Sequence, residues 1–212
     1  LQAENSFIVR SRAPVRVSFG GGGSDVTHYF SNKQAAVINS TISLYSHATL
    51  RIRSDEKVIV SSSDLNAKFE ANNLSEALVE AGPFRLIQAI FQAVKPTFGF
   101  ELHVDSDFPI GSGLGGSATV STAILGCFNE VRKDKWSPHE IAEIAYQAER
   151  IHLGISGGWQ DQYAAVFGGF NFIEFNKKEN VVLPLKLNSE TMLELEESLV
   201  LCDTSIAHDS DL

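Results

Sequence analysis

Positive charge is scarce in this chain and nowhere gathered. Its 17 lysines and arginines stand against 26 acidic residues, giving a formal net charge of -9, and no run of basic residues occurs. Nucleic acids and anionic membranes are both recognised by clustered positive charge, so neither is expected as a partner. Cysteine is almost lacking. The two present, Cys127 and Cys202, match no metal-ligand spacing and sit inside apolar runs, which suits buried thiols in a reducing compartment. No apolar run approaches the ~20 residues of a membrane span, and the opening LQAENSFIVR carries no signal-peptide pattern. Repeats, low-complexity stretches and linkers are absent too. A cytoplasmic location is expected. The 43% hydrophobic content over 212 residues is enough to bury a real core, as one large or two small domains.

Glycine, by contrast, is concentrated. SFGGGGSD runs from Ser18 to Asp25, PIGSGLGGSA from Pro109 to Ala118 and GISGGWQDQ from Gly154 to Gln162, and no glycine follows Gly169. Three such stretches read as loops round one pocket.

The remaining pattern is α+β. APVRVSF alternates, with Val15, Val17 and Phe19 on one face and Arg16 and Ser18 on the other, and Pro14 places that strand at an edge or a strand start. Alternation at Ala36–Ile52 and Lys57–Ser62 predicts a meander of antiparallel strands. GPFRLIQAIFQAVKP reads as a helix closed by Pro96. FGFELHVDSD is a strand with Phe98, Phe100, Leu102 and Val104 facing one way, and it leads directly into the second glycine loop. The helix after the loop carries Val120, Ile124, Phe128 and Val131 as its apolar stripe. Ser137-Pro138 with Glu140 is a capping-box start. That helix turns Ile141, Ile144, Ala145, Ala148 and His152 inward, with Glu149 at the border of the stripe and His152 better read as a packed core histidine than as a ligand. A short helix from Gln160 ends at Gly168-Gly169, followed by strand FNFIEF and later strand SLVLCDT.

Strand, glycine loop and helix N-terminus in succession form an arrangement that binds phosphate: backbone N–H groups face the anion and the helix dipole favours it. An ordinary tight turn is the plainer alternative, but it requires far fewer glycines. The Gly-Lys-Ser/Thr of a P-loop is absent. Gly111, Gly113 and Gly116 formally satisfy the dinucleotide fingerprint, yet the preceding strand alternates and another helix follows where a second strand is needed, so the match looks accidental.

PIGSGLGGSA resembles the second motif of the GHMP kinases, the small-molecule kinases that include galactokinase and mevalonate kinase. RAPVRVSFGGGGSD is similar to their first motif, and AERIHLGISGGWQDQYAAVFGG to their acidic helix and catalytic-aspartate segment. The three lie in the family's order from Arg12 to Gly169. The glycine quartet before Ser24-Asp25 is most similar to the bacterial heptose 7-phosphate kinase branch. The resemblance implies a GHMP-kinase N-terminal domain (ribosomal protein S5 domain 2-like), a mostly antiparallel sheet with helices packed on it. It divides the chain into an ATP-binding domain over 1–190 and, over 191–212, the start of a truncated C-terminal domain whose remainder is missing from this chain.

Roles follow from the resemblance residue by residue. Gly111, Ser112, Gly113, Leu114, Gly115, Gly116 and Ser117 would wrap the ATP phosphates. Ser117 and Glu149 would hold Mg²⁺, which takes few protein oxygens; the alternatives are a plain helix cap and a solvated glutamate. Asp161 would deprotonate or orient the sugar hydroxyl, unless it only caps a helix. Arg16 would keep Asp161 ionised and neutralise transferring phosphate, unless it is a surface arginine. Gly22, Gly23, Ser24, Asp25, Gly157 and Gly158 would meet the substrate. The implied activity is ATP-dependent phosphorylation of a sugar's anomeric hydroxyl, that of D-glycero-D-manno-heptose 7-phosphate first, or of a fucose- or galactose-type sugar. A non-catalytic sugar or nucleotide sensor on the same fold is the alternative from another class, and a nicotinamide-binding oxidoreductase a third. The expected partner is a small-molecule sugar or sugar phosphate, and a homodimer is one assembly the resemblance allows.

Overall fold

The computed structural model describes residues 7–79, 82–200 and 202. Its frame is a long strand, β2 (Ala35–Ile52), flanked on both edges. β1 (Ile8–Gly20) runs antiparallel along one edge, from Ile8 opposite Arg51 to Gly20 opposite Ile38. The other edge is shared. β5 (Phe100–Ser106) pairs antiparallel with Ser46 to Ile52, and β6 (Phe170–Phe175) with Ala35 to Ser40. Outside β5 lie β3 (Val58–Ser62) and β4 (Ala67–Ala71), and outside β6 lies β7 (Val181–Pro184).

The sheet is mostly antiparallel, as expected, but it is not a simple meander. β3 and β5 are parallel, because β4 and the helices α2 (Leu74–Ala77) and α3 (Arg85–Val94) carry the chain back before β5 inserts between β2 and β3. β1 begins before the expected APVRVSF, so Pro14 lies within an edge strand rather than at its start. There the register shifts between Pro14 and Arg16. A bulge re-aims the side chain beside it, and this one falls across from Thr41 to Tyr45, where β2 passes from β5 to β6. Phe19, expected on the buried face, is 40% exposed and stacks on Phe170 at 5.2 Å.

Helices α4 (Gly116–Val131), α5 (Pro138–Gln147) and α6 (Gln160–Phe167) pack with α3 on one face of the sheet. α4 was expected to show one apolar stripe. It is buried nearly all round, including Ala118, Thr119, Ser121 and Thr122, because it lies between the sheet and the outer helices. Phe91, Phe98, Phe100 and Phe128 meet there with ring centroids 5.1–6.3 Å apart. α5 has the capping box read from the sequence, with Ser137 Oγ accepting from Glu140 N and Glu140 accepting from Ser137 N. A short helix α1 (Thr27–Phe30) follows the first glycine loop.

The end of the described chain differs from expectation. α7 (Ser189–Ser198) crosses the boundary placed at 190 and buries none of its residues. The strand SLVLCDT starts inside α7, Leu199, Val200 and Cys202 are not in a strand, and Leu201, Asp203 and Thr204 lie outside the described residues. Cys202 is exposed, while Cys127 is buried and its thiol pKa is pushed up to about 12 by burial.

Candidate active site

The second glycine loop leaves β5 at the junction between β5 and β6 on the edge of β2. Gly111, Gly113 and Gly115 each take positive φ, between 72° and 81°. Gly115 is also the N-cap of α4, and a Cβ on it would sit 3.1 Å from the Asp161 carboxyl carbon. The loop, with Ser112, Gly116 and Ser117, forms one wall of a cavity of about 520 Å³. Arg16, Arg150 and Asp161 line the same cavity. An apolar wall completes it, built from Leu65, Pro83, Leu86, Ile87, Phe108 and Val120. Leu114 is half-buried and its carbonyl accepts from Arg16 N at 3.4 Å.

Arg16 and Asp161 meet across this wall. Nε donates to Asp161 Oδ1 at 2.7 Å, and Nη2 lies 2.6 Å from the same oxygen. Nη1 donates to Gly113 O at 3.2 Å, so the guanidinium ties the loop to the carboxylate. Oδ2 of Asp161 has no protein partner among the described residues. Both side chains keep limited access to the cavity, at 15% and 22% exposure. Neither plain alternative holds: Arg16 is not a surface strand arginine, and α6 is capped at Trp159 without any side-chain bond from Asp161.

Ser117 and Glu149 form a second pair behind the first. Ser117 does not cap α4, since Gly115 holds that position; its Oγ donates to Glu149 Oε2 at 2.9 Å. Glu149 is not at the border of a stripe. It is fully buried, because α5 loosens into a π-helical turn over Ala148–His152, with Leu153 N bonded to Ala148 O. The wider turn shifts the face by one residue, a device frequent at functional sites. Glu149 rotates in, and His152, expected in the core, rotates out to an exposed position. Burial raises the Glu149 carboxyl pKa above its ordinary value, with Arg150, Ser117 and Gln162 opposing. Two oxygens 2.9 Å apart match the edge of a magnesium octahedron, since bonds of 2.0–2.1 Å at right angles put neighbouring oxygens about 3 Å apart. Among the described residues no cluster of three or more His, Cys, Asp or Glu is built for a metal. A hard cation here would therefore take these two groups plus ligand oxygens and water.

The first glycine loop meets the N-terminus of α6, where Trp159 N donates to Asp25 O at 3.2 Å. Gly22 and Gly23 are exposed, and Ser24 Oγ donates to Gly21 O at 2.7 Å. Asp25 is 3% exposed and accepts from Gln160 N at 3.0 Å, so it serves as the anion at the start of α6. Gly158 lies directly against it: a Cβ there would be 1.8 Å from Asp25 Oδ2. Thr27 Oγ1 accepts from Trp159 Nε1 at 3.1 Å and holds the same two segments together. Gly157 packs on the Arg150 guanidinium, whose Nη1 donates to Ile155 O and Ser156 O.

The sequence reading missed three groups. Arg150 is set by the π turn, which no periodicity shows. Gln162 is buried beside Glu149. Phe108 and Val120 of the apolar wall flank the second glycine motif, but Leu65, Pro83, Leu86 and Ile87 come from the β3–β4 turn and from α3 and the residues just before it, far from any such motif; Leu86 and Ile87 were visible only as helix core.

The chain is similar to several known proteins. Residues 83–169 match the GHMP kinases N terminal domain. The D-glycero-alpha-D-manno-heptose 7-phosphate kinase of Campylobacter jejuni subsp. jejuni is 41% identical over 95% of this chain and 61% of that protein. The chain thus spans less than two thirds of that relative's length. A D-glycero-D-manno-heptose 1-phosphate kinase from Bacteriodes thetaiotaomicron superposes with a TM-score of 0.83 at 34% identity, covering 91% of this chain and 64% of that one. Lactococcus lactis galactokinase, complexed with galactose, shares the fold at a TM-score of 0.72 and 20% identity, over 85% of this chain and 48% of its own.

Proposed function

This chain belongs to the GHMP kinases through the N-terminal domain it carries, and from that premise we propose that it transfers the γ-phosphoryl group of ATP to the anomeric hydroxyl of a sugar, D-glycero-D-manno-heptose 7-phosphate first. The observation that carries the reading is the use of Asp161 Oδ1 by Arg16 in the wall of the glycine-loop cavity. With Oδ1 engaged, Oδ2 is the oxygen left to accept the proton of a sugar hydroxyl or to orient it. Arg16 pairs with Asp161 and would offer Nη1, now on Gly113 O, to the phosphate in transfer. The loop Gly111–Ser117 presents main-chain N–H groups and the α4 N-terminus to the phosphates. The base of ATP fits the apolar wall at Leu86, Ile87 and Phe108, which lies beside the loop in the same cavity. Ser117 and Glu149 would hold Mg²⁺; when bound, the ion neutralises charge on the nucleotide phosphates. The sugar would lie along Gly22, Gly23 and Ser24, with Asp25 and Gly158 shaping that loop from beneath.

Identity to a heptose 7-phosphate kinase favours the heptose over fucose, whose bifunctional kinase in Bacteroides fragilis is 26% identical over 79% of this chain. Residues 1–190 form the nucleotide half of the reading, and a C-terminal domain begun near α7 would cover the sugar. A reducing cytoplasm supplies the ATP.

The test is ADP release from ATP and Mg²⁺ with heptose 7-phosphate, fucose and galactose, with the product carbon assigned by phosphorus NMR. The heptose 1,7-bisphosphate is expected as the best product. Nucleotide binding without ADP release on any sugar would point to the sensor instead, and preference for fucose or galactose would move the substrate.

A further inference from the structure

Gln162 neighbours Asp161 on α6, yet it points away from the cavity and into the protein. It is fully buried, and its Nε2 donates to Glu149 Oε1 at 3.2 Å. We propose that Gln162 is a positioning residue for the metal-holding carboxylate of Glu149, an inference that rests on reading Ser117 and Glu149 as the magnesium ligands.

Three observations carry it. First, the two oxygens of Glu149 are held by different elements. Oε2 takes its bond from Ser117 on α4, and Oε1 takes its bond from Gln162 on α6. With Oε1 fixed from α6, the carboxylate plane is set and Oε2 faces the loop. Second, no other donor does this among the described residues. Arg150 Nη2 stands 3.7 Å from Oε2, beyond hydrogen-bond distance, and the Nη1 of that guanidinium is engaged by Ile155 O and Ser156 O. Third, the amide makes no other side-chain bond among the described residues. Gln162 Oε1 is buried without a partner among the described residues. An amide with an unanswered carbonyl oxygen is costly inside a protein, and an apolar side chain of the same length would avoid that cost. Among the described residues, the one bond the amide makes is to Glu149.

The placement has a mechanical consequence. Asp161 and Gln162 are consecutive on one helix, so the Arg16–Asp161 pair and the Ser117–Glu149 pair are fixed to the same rigid element. Groups that orient a ligating carboxylate commonly set metal affinity by 10–100-fold.

The experiment titrates Mn²⁺, as a paramagnetic stand-in for Mg²⁺, into the full-length protein saturated with a non-hydrolysable ATP analogue, and reads free Mn²⁺ by electron paramagnetic resonance. Gln162→Met keeps length without a donor; Gln162→Asn keeps an amide that falls short of Glu149. Each should weaken Mn²⁺ binding about tenfold, with affinity for the metal-free analogue unchanged within about twofold. In a Glu149→Gln background, neither should weaken Mn²⁺ further, because the effect passes through Glu149. Wild-type Mn²⁺ affinity in the soluble Gln162 variants overturns the inference. So does an undiminished loss in the Glu149→Gln background, which marks a merely structural role. A wild-type protein that binds the analogue but no Mn²⁺ overturns the kinase reading itself, and the inference with it.

Discussion

Asp161 and Glu149 are both carboxylates at one site, and their surroundings assign them different work. Asp161 is partly exposed in the cavity wall and bound through one oxygen to Arg16, with the other oxygen beside Gly115. Asp161→Asn keeps the shape but removes the proton acceptor and the partner charge for Arg16. Turnover should fall by two or more orders of magnitude, on the scale of a positioned acid–base group, with nucleotide affinity nearly intact. Wild-type turnover by that variant would remove Asp161 from the chemistry. Glu149 is fully buried, and burial raises its pKa. Between its ordinary pKa and the raised one, the folded protein keeps a proton that the unfolded chain has released. Stability therefore falls as pH climbs through that interval, and the deficit remains at higher pH. Glu149→Gln abolishes this titration. In metal-free buffer the variant should unfold about 2–4 °C above wild type at pH 8, the shift that ~1 kcal/mol makes in a domain of this size. The gap should close below about pH 4, where both states are protonated. A gap that does not change with pH, measured by scanning calorimetry, would mean that burial of a charge is not what Glu149 contributes.

At the scale of elements, what could be read from the sequence was what local chemistry dictates. The capping box at Ser137, the stop of α6 at Gly168 and the inward row of Phe100, Leu102 and Val104 each depend on residues a few positions apart, and each stands as expected. The misses are non-local. The parallel pairing of β3 with β5 depends on a crossover through β4, α2 and α3, which alternation within a strand does not encode. The depth of Glu149 depends on a π turn that regular 3.6-residue spacing hides. α6 shows how tightly such elements are then joined. Its N-terminal amide at Gln160 is answered by Asp25 from the first glycine loop, with Gly158 in between. Gly158→Ala would place a methyl 1.8 Å from Asp25 Oδ2, and backbone or carboxylate must move. The cost should be about 1–3 kcal/mol, as for other overpacked sites, read as a lower urea midpoint at unchanged m-value. Sugar affinity should weaken along with it, because Asp25 anchors the loop at Gly22 and Gly23. An unchanged midpoint would show that this contact relaxes freely.

Over the whole molecule, the order of the three glycine stretches was legible, and with it the family; the pairing between them was not. Arg16 and Asp161 are 145 positions apart, and Ser117 and Glu149 are 32 apart. Composition and spacing cannot join such positions; only the resemblance placed them in one site, and it did so without the burial or the geometry. The convergence has a thermodynamic consequence. A nucleotide bound by the loop, the α4 N-terminus and the apolar wall touches β5, α3, α4 and α6 together, and none of those contacts survives in the unfolded chain. ATP with Mg²⁺ at about 100 times its Kd should therefore stabilise the fold by about 2.7 kcal/mol, seen as a rise in Tm of about 5–11 °C at this chain length. ATP with a chelator should give a smaller rise at the same concentration, since Ser117 and Glu149 then lack the ion that links them to the phosphates. Glu149→Gln should keep the chelator-insensitive part and lose the increment due to Mg²⁺. NAD at equal concentration should shift Tm by less than about 1 °C, because the loop is followed by α4 and α5 rather than by the second parallel strand of a dinucleotide site. A larger shift with NAD than with ATP and Mg²⁺ would overturn the nucleotide assignment for the whole cavity.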